Sequence, residues 1–193
     1  MSRIEQYGTL PLRNREIARY AHRSPEEARE LIEACRTEAT PVLDNRVCWD
    51  VFPCVPTGEK LDLGFTVTDS KALRKNLRGC GRVVLFAATV GEDLDRLIGT
   101  YRERDPERAV VLHALGAEAV EAVCDRFCND LRKEYRRTRP RFSPGYGDLP
   151  LTVQRSVFLA LGCESSIGIT LDGTLRMHPS KSVTALVGIG DVF

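Results

Sequence analysis

The stretch from Pro106 to Thr138, PERAVVLHALGAEAVEAVCDRFCNDLRKEYRRT, places the strongest constraint on how this chain can fold. Its apolar residues recur every three or four positions, which predicts one long helix with a buried face. Much of that face consists of small side chains, so another segment of backbone can approach the helix closely. The positions that carry the pattern are Val110, Ala114, Ala117, Val120, Cys124, Phe127 and Leu131.

Other helices are indicated on both sides of this one. The first is NREIARYAHR, and the second is SPEEARELIEACRTEA, where Ser24 is the expected N-cap, Pro25 the first helical residue and Glu27 the capping-box partner. Together they predict a helical hairpin at the start of the chain. Further helices are predicted in TDSKALRKNLRGC, EDLDRLIGTYRERD and LTVQRSVFLALG, the last of which ends at Gly162.

Apolar or alternating runs predict the strands. They are RVCWDVFPCVP, KLDLGFTV, RVVLFAATVG and KSVTALVGIGDVF, while IGITLDGTLRM predicts a hairpin with Asp172-Gly173 as its two-residue turn. Strands and helices do not alternate regularly enough for a doubly wound parallel sheet. The sequence therefore predicts an α+β fold with a mainly antiparallel sheet flanked by helices. We expect an N-terminal helical segment at residues 1–40 and the main domain at residues 41–193.

The charge and hydropathy of the chain argue against two kinds of partner. A formal net charge of +1 gives no long-range attraction to nucleic acid or acidic lipid. The segment MSRIEQYGTLPLRNRE lacks the apolar core of a signal peptide, and no apolar run approaches the roughly 20 residues of a membrane span. We therefore expect a cytoplasmic protein with no nucleic-acid partner and no membrane partner.

The seven cysteines do not form the C-x-x-C spacing of zinc ribbons or redox motifs, and this usage fits reduced thiols. Cys124 and Cys128 are four residues apart on the predicted long helix, so they share a face and could bind a metal together. The favoured interpretation is that they are small core residues, because free cysteine is among the most buried residue types.

The usual catalytic signatures are absent. The sequence contains no G-x-S-x-G, no Walker loop, no H-E-x-x-H and no G-x-G-x-x-G after a strand. Glu118, Glu121 and Asp125 could share a helix face, but their pattern favours a solvated acidic stripe near Arg126. The basic run RKEYRRTRPR is typical of a helix C-terminus, where cations are stabilised. No catalytic residue is predicted, and the scattered histidines are given no role.

The loop RFSPGYGDLP, from Arg141 to Pro150, is unusually rigid. Ser143-Pro144-Gly145-Tyr146 has proline and glycine at the central positions of a type II turn. Such a turn would fix the directions of Arg141 and Tyr146, and a guanidinium beside an aromatic face suits a ligand with a carboxylate and a cation or planar ring. The alternative is a structural corner in which Arg141 neutralises Asp148 and Tyr146 packs inward.

Two ordered motifs give the chain a family resemblance. The loop supplies R-x-x-x-G-Y through Arg141, Gly145 and Tyr146, and a later run supplies M-x-P-x-x-S-V-T through Met177, Pro179, Ser182, Val183 and Thr184. The sequence resembles the activation domain of vitamin B12-dependent methionine synthase, and VVLFAATVGEDLDR and RFSPGYGDLPLTVQ look most like its short, freestanding members. The similarity extends from about Val83 to Gly188.

This resemblance implies binding of S-adenosylmethionine. In the family, the loop motif borders the ligand, which here implies roles for Arg141, Gly145 and Tyr146. A residue pair beyond the S-V-T run also borders it, and that pair falls on Val187 and Gly188. The family has Tyr-Phe at this pair, so the Val-Gly of this chain leaves main-chain contacts as the obvious ones. The family's aspartate segment near its N-terminus has no match in this chain.

The implied chemistry is the reductive remethylation of cobalamin. A corrinoid in the Co(II) state gains an electron, and the resulting Co(I) nucleophile attacks the sulfonium methyl group of S-adenosylmethionine. The chain lacks the D-x-H-x-x-G signature of corrinoid carriers, so the cobalamin would be carried by a separate methionine synthase or corrinoid protein, with an external one-electron donor as a further partner. The alternative function is a noncatalytic interaction module that docks on a corrinoid protein without binding S-adenosylmethionine.

Overall fold

The computed structural model describes residues 2–190 of the chain. The helices in this range are α1 (Asn14–Tyr20), α2 (Arg29–Ala39), α3 (Lys71–Asn76), α4 (Asp93–Tyr101), α5 (Pro106–Glu134), α6 (Val153–Leu161) and α7 (Cys163–Ile167). The strands are β1 (Arg3–Tyr7), β2 (Asn45–Pro53), β3 (Val55–Thr57), β4 (Lys60–Asp62), β5 (Val67–Thr68), β6 (Arg82–Thr89), β7 (Thr170–Leu171), β8 (Met177–His178) and β9 (Ser182–Ile189).

The main sheet has the strand order β1-β2-β6-β9, and every neighbouring pair in it is antiparallel. Two small sheets, β3-β4-β5 and β7-β8, are also antiparallel. The predicted α+β fold with a mainly antiparallel sheet flanked by helices is therefore confirmed.

Both faces of the main sheet are covered. Side chains alternate between the two faces of a strand, so Val84, Phe86 and Ala88 of β6 join a core with α1, α2, α4 and α5. The intervening Val83, Leu85 and Ala87 join a second core with α3, α6 and α7. This two-sided burial explains why β6 reads as a continuous apolar run although its neighbours are antiparallel.

The long helix α5 crosses the first face of the sheet. Its start is capped by the side chain of Asp105, which accepts a hydrogen bond of 3.0 Å from the Arg108 amide, and Pro106 is the first helical residue. Its apolar stripe is buried, as predicted. The helix ends at Glu134, four residues before the predicted end at Thr138, because Tyr135 adopts an extended conformation and leads the chain toward β9.

The beginning of the chain differs from the predicted helical hairpin. Residues Arg3–Tyr7 form β1, which pairs with β2 at the edge of the main sheet. The helices α1 and α2 then follow and pack against α5. Helix α2 begins at Arg29, later than predicted, although the Ser24 hydroxyl does accept a hydrogen bond from the Glu27 amide.

The hairpin formed by β7 and β8 is present, but its turn is longer than the predicted Asp172-Gly173 pair. The connection runs from Asp172 to Arg176, where the Asp172 amide donates to the Arg176 carbonyl. The Asp172 carboxylate accepts hydrogen bonds from the Thr174 amide and hydroxyl and from the Arg176 amide. A turn of this length leaves backbone amide groups without a partner strand. The Asp172 carboxylate accepts hydrogen bonds from these amides and so stabilises the turn.

All seven cysteines are free and buried, which confirms the interpretation of Cys124 and Cys128 as core residues. Among residues 2–190, no group of three or more histidine, cysteine or acidic side chains is arranged to hold a metal ion. None of the helices in this range is both long and apolar enough to cross a lipid bilayer.

Candidate functional site

The segment that follows α5 runs antiparallel along the outer edge of β9. The Arg139 amide donates to the Gly188 carbonyl at 2.8 Å, and Phe142 and Leu186 exchange amide–carbonyl hydrogen bonds of 2.9 and 2.8 Å. Residues 137–142 thus extend the main sheet beyond β9. This pairing places Arg141 beside Val187 and Gly188, so the two parts of the predicted site are neighbours although Arg141 and Val187 are 46 positions apart in the sequence.

The predicted type II turn is confirmed. The Tyr146 amide donates to the Ser143 carbonyl at 3.1 Å, and Gly145 has a φ of 86°, a conformation that strongly favours glycine at the third position of the turn. The Gly145 amide donates in turn to the Leu149 carbonyl at 2.9 Å. Since Leu149 is buried in the second core, the turn is fixed to the body of the protein.

Asp148 attaches the same loop to the start of α3. Its carboxylate accepts hydrogen bonds from the Lys71 amide at 2.8 Å, the Ala72 amide at 3.1 Å and the Ser70 hydroxyl. Carboxylates are stabilised at helix N-termini, where unpaired amide groups point outward. Asp148 therefore caps α3, and the alternative in which it neutralises Arg141 is wrong.

These contacts predict a pH dependence of stability. The hydrogen bond from Ser70, followed by those from the Lys71 and Ala72 amides, holds the pKa of Asp148 below its ordinary value. The ionised group therefore stabilises the folded chain above its unfolded-state pKa, and this contribution is lost as the pH falls through the lower folded-state pKa.

We expect Asp148→Asn to be less stable than the wild type at neutral pH, with the difference shrinking below about pH 4. Thermal unfolding followed by circular dichroism across this range will measure the difference. A difference in melting temperature that stays constant between neutral pH and about pH 3 would contradict the assignment.

Arg141 reaches across to α5. Its Nη2 group is paired with the Glu121 carboxylate and lies 3.4 Å from an oxygen of Asp125. Its Nη1 group is buried and has no hydrogen-bond partner within residues 2–190. The nearby Cys124 is buried in the first core, and this burial raises the pKa of its thiol. The guanidinium is thus a half-buried cation held between two carboxylates.

Glu118 continues this row of acidic side chains into the core. It is 1% exposed and accepts hydrogen bonds from the Arg13 backbone amide at 3.1 Å and from its guanidinium at 2.7 and 3.2 Å. The prediction of a solvated acidic stripe near Arg126 is wrong for Glu118, because the segment before α1 folds over it. Arg126 pairs instead with Asp130 at 2.9 Å.

A cavity of about 370 Å³ lies between that N-terminal segment and α5. Its walls include Leu10 and Leu12 from the segment and Glu118 and Asp125 from the helix. Asp125 therefore borders this cavity and also contacts Arg141. The acidic face of α5 therefore connects the predicted loop to an open cavity of the size of a small-molecule site.

Tyr146 is placed apart from this acidic face. Its side chain is 70% exposed, and its ring meets the edge of Phe142 with a centroid distance of 5.5 Å. Phe142 belongs to the second core, whereas Arg141 contacts α5 on the first face of the sheet. The structure therefore brings Arg141 and the Val187–Gly188 pair together. The phenol of Tyr146 is close to Arg141 in the sequence but projects into solvent away from the acidic face of α5.

Val187 and Gly188 are both enclosed. The Val187 side chain is buried in the first core, and the Gly188 carbonyl is occupied by the Arg139 amide. Gly188 has no room for a larger residue. A Cβ atom there would lie 2.7 Å from Leu77 and 2.8 Å from the Cys80 sulfur.

Gly188→Ala should therefore destabilise the protein by about 1–3 kcal/mol through overpacking. Gly173→Ala is a suitable control, because a Cβ atom at Gly173 would meet no atom within 4 Å. Urea unfolding of both variants will give the comparison. Equal stabilities of the two variants would mean that the close contacts around Gly188 relax without cost.

The contacts of Glu121 and Asp125 with Arg141 were not predicted from the sequence. Their spacing on α5, with Glu118, was the available signal, since residues three and four apart share a helix face. The spacing of these acidic residues does not indicate which cations contact this face. Arg13 and Arg141 lie more than fifteen residues away in the chain on either side.

Comparison with known proteins places the fold. No family model matches the chain, and no curated protein matches it by sequence. Among solved structures, however, the whole chain superposes on one domain of the same α+β architecture with a TM-score of 0.70, covering 80% of that chain at 16% sequence identity. That structure is described as the crystal structure of the MetH reactivation domain bound to AdoHcy. The chain therefore shares the fold of this reactivation domain.

Proposed function

We propose that the chain binds S-adenosylmethionine and supports the reductive remethylation of a cobalamin carried by a separate methionine synthase or corrinoid protein. The observation that carries this proposal is the fold similarity over the full length of the chain to a reactivation domain bound to AdoHcy. AdoHcy, S-adenosylhomocysteine, is the product that S-adenosylmethionine leaves after giving up its methyl group. The R-x-x-x-G-Y and M-x-P-x-x-S-V-T motifs add support from the sequence.

The charges beside the loop are complementary to such a ligand. S-adenosylmethionine carries one carboxylate and two positive centres, its ammonium and its sulfonium. Arg141 can pair with the carboxylate through its planar fork, and Glu121 and Asp125 can attract the positive centres. The cavity bordered by Asp125 offers apolar walls at Leu10 and Leu12 for an uncharged part of the ligand.

Ligand binding in this arrangement would make use of a donor that the protein leaves unsatisfied. The buried Nη1 group of Arg141 has no acceptor within the described residues, and an unsatisfied buried donor is unfavourable. A ligand carboxylate would supply that acceptor once the side chains that cover Nη1 move aside. Glu121 could keep its contact with Nη2, so Arg141 need not exchange one partner for another.

The chain would act by positioning. The cobalamin, bound to its own carrier, supplies the metal-centred nucleophile of the remethylation. This chain would hold the methyl donor at a fixed place and exclude water around it, which needs no side chain to act as an acid or base. The external one-electron donor and the cytoplasmic location belong to the same proposal.

A second candidate function is a noncatalytic module that docks on a corrinoid protein without binding S-adenosylmethionine. The observation in its favour is that the implied ligand contacts are occupied within the protein. Arg141 is already paired with Glu121, the Val187 side chain is buried, and the Gly188 carbonyl accepts from Arg139.

Calorimetric titration will distinguish the two candidates. The full chain is titrated with S-adenosylmethionine and with S-adenosylhomocysteine, first alone and then with a cobalamin-loaded methionine synthase. Saturable binding in either setting supports the first candidate. Capture of the cobalamin-loaded protein without affinity for either adenosyl compound selects the second, and neither binding nor capture would overturn both.

A further inference from the structure

A second cavity, of about 520 Å³, lies between α1, α4 and α5, and none of the residues of the candidate site lines it. Its floor is apolar and includes Ile98 of α4 together with Ala109 and Ala114 of α5. Val110 lies at its rim and is 49% exposed. The volume and the mostly apolar lining are typical of a pocket for a small organic molecule.

The polar side chains that line this cavity are Tyr20, Arg102 and His113, and none of the lining residues is acidic. Arg102 is exposed, so its guanidinium can meet a ligand from solution without a large cost of burying its charge. A group that combines an anion with an apolar body would be matched by such a lining. A cationic ligand would find no counter-charge.

The contact with Lys181 determines which ring nitrogen of His113 carries the proton. Lys181 is 7% exposed, and its Nζ atom lies 2.6 Å from His113 Nδ1 and 3.5 Å from His113 Nε2. An ammonium group can only donate, so the nearer nitrogen, Nδ1, is assigned as the acceptor, which places the proton of a neutral imidazole on Nε2. His113 is then a hydrogen-bond donor, backed by a buried positive charge. Burial, followed by the charge of Lys181, lowers the pKa of His113, which favours the neutral imidazole.

The acidic group facing this pair is Asp95 of α4, and its carboxylate is engaged elsewhere. One oxygen accepts from the Ser180 amide at 2.7 Å and the other from the Ser180 hydroxyl at 2.6 Å. Burial lowers the pKa of Lys181, and the negative charge of Asp95 opposes this shift. Asp95 itself does not line the cavity.

We propose that this cavity binds a medium-chain carboxylate, with the alkyl chain on the alanine-lined floor and the carboxylate between Arg102 and the Nε2–H group of His113. The alanines of α5 leave the volume that the alkyl chain fills. Arg102 supplies the charge and His113 a directed donor. This site is separate from the candidate site at Arg141, so its occupation does not depend on the function proposed there.

Titration of the full chain with sodium octanoate tests the proposal, with octyltrimethylammonium as the probe of equal chain length and opposite charge. We expect saturable octanoate binding by calorimetry and an affinity for the cation lower by about tenfold or more. Equal affinities of the two probes would show that the cavity does not distinguish an anion from a cation and would overturn the proposal. Absence of saturable octanoate binding would overturn it as well.

Two exposed positions provide matched variants. Val110→Glu places a negative charge at the cavity rim, whereas Leu159→Glu makes a similar change at a residue of α6 that is 85% exposed and far from the cavity along the chain. We expect Val110→Glu to abolish octanoate binding and Leu159→Glu to leave it unchanged. Because both side chains are exposed, neither variant should impair folding, which circular dichroism will check. Similar loss of binding in both variants would contradict the site.

A third variant tests the carboxylate contact. Arg102→Gln should weaken octanoate binding by about tenfold and leave the weak affinity for octyltrimethylammonium unchanged or slightly raised. Unaltered octanoate affinity in this variant would refute the role of the guanidinium.

Discussion

Replacing Phe127 by alanine should lower the free energy of unfolding by about 3–5 kcal/mol, the largest effect on stability that we expect from a single substitution in this protein. Phe127 is 2% exposed and lies where α5 crosses the main sheet. Its ring centroid is 4.9 Å from that of Phe86 on β6 and 5.7 Å from that of Trp49 on β2. Removing this ring leaves a cavity between the helix and two strands, and those backbones cannot collapse into it without breaking the sheet.

Urea unfolding followed by far-ultraviolet circular dichroism will measure the loss. Trp49, the single tryptophan of the chain, gives a second probe by fluorescence, although its signal will itself change when its neighbour is removed. Leu159→Ala is the control, because Leu159 is exposed and should contribute less than about 0.5 kcal/mol. A loss below about 1 kcal/mol in Phe127→Ala would show that the core repacks around the missing ring.

Arg141→Gln should weaken the binding of S-adenosylmethionine by about 1.5–3 kcal/mol, the value of a charge-assisted hydrogen bond. This corresponds to a loss of affinity of roughly tenfold to 150-fold. The reason is that Arg141 is the cation held beside Glu121 and Asp125, and it alone among these three can pair with the ligand carboxylate. Without it, the acidic face of α5 would repel that carboxylate.

Two further variants make this result specific. Arg141→Lys keeps the charge but loses the planar fork, so we expect an intermediate affinity. Arg155→Gln removes an exposed arginine from α6 and should leave the affinity unchanged. Calorimetric titration of the four proteins gives the comparison, after circular dichroism has shown that each is folded. Affinity within about twofold of the wild type in Arg141→Gln would remove Arg141 from the proposed site.

The parts of the fold that were predicted from the sequence are those with strong local patterns. The continuous apolar run predicts β6 and the three-to-four spacing predicts α5, because each buried position in these elements carries an apolar residue that can be read from the sequence. The strand β1 was missed because RIEQY is mostly exposed at the sheet edge, and its pairing with β2 depends on a partner about forty residues away. The wide turn after β7 was missed because Asp172 makes its side-chain contacts with Thr174 and Arg176, which a dipeptide rule does not consider.

The candidate site shows the same limit. The turn at Ser143–Tyr146 was predicted because proline and glycine restrict their own backbone angles. The carboxylates that meet Arg141 could not be assigned, since that contact depends on how residues 137–142 pair with β9 and so approach α5. Likewise, the burial of Glu118 depends on the path of the segment that contains Arg13. Contacts between distant segments follow from packing, which residue spacing alone does not encode.

The extension of the sheet by residues 137–142 also limits how this protein can associate with itself through this edge of the sheet. The Arg139 and Phe142 amides are both used against β9, and between them Pro140 has no amide proton to offer on the outer side. The exposed cations Arg136 and Arg137 adjoin this border. At this edge a second copy therefore finds neither a donor at Pro140 nor a neutral strand to align with, which disfavours strand-by-strand growth from this side of the sheet.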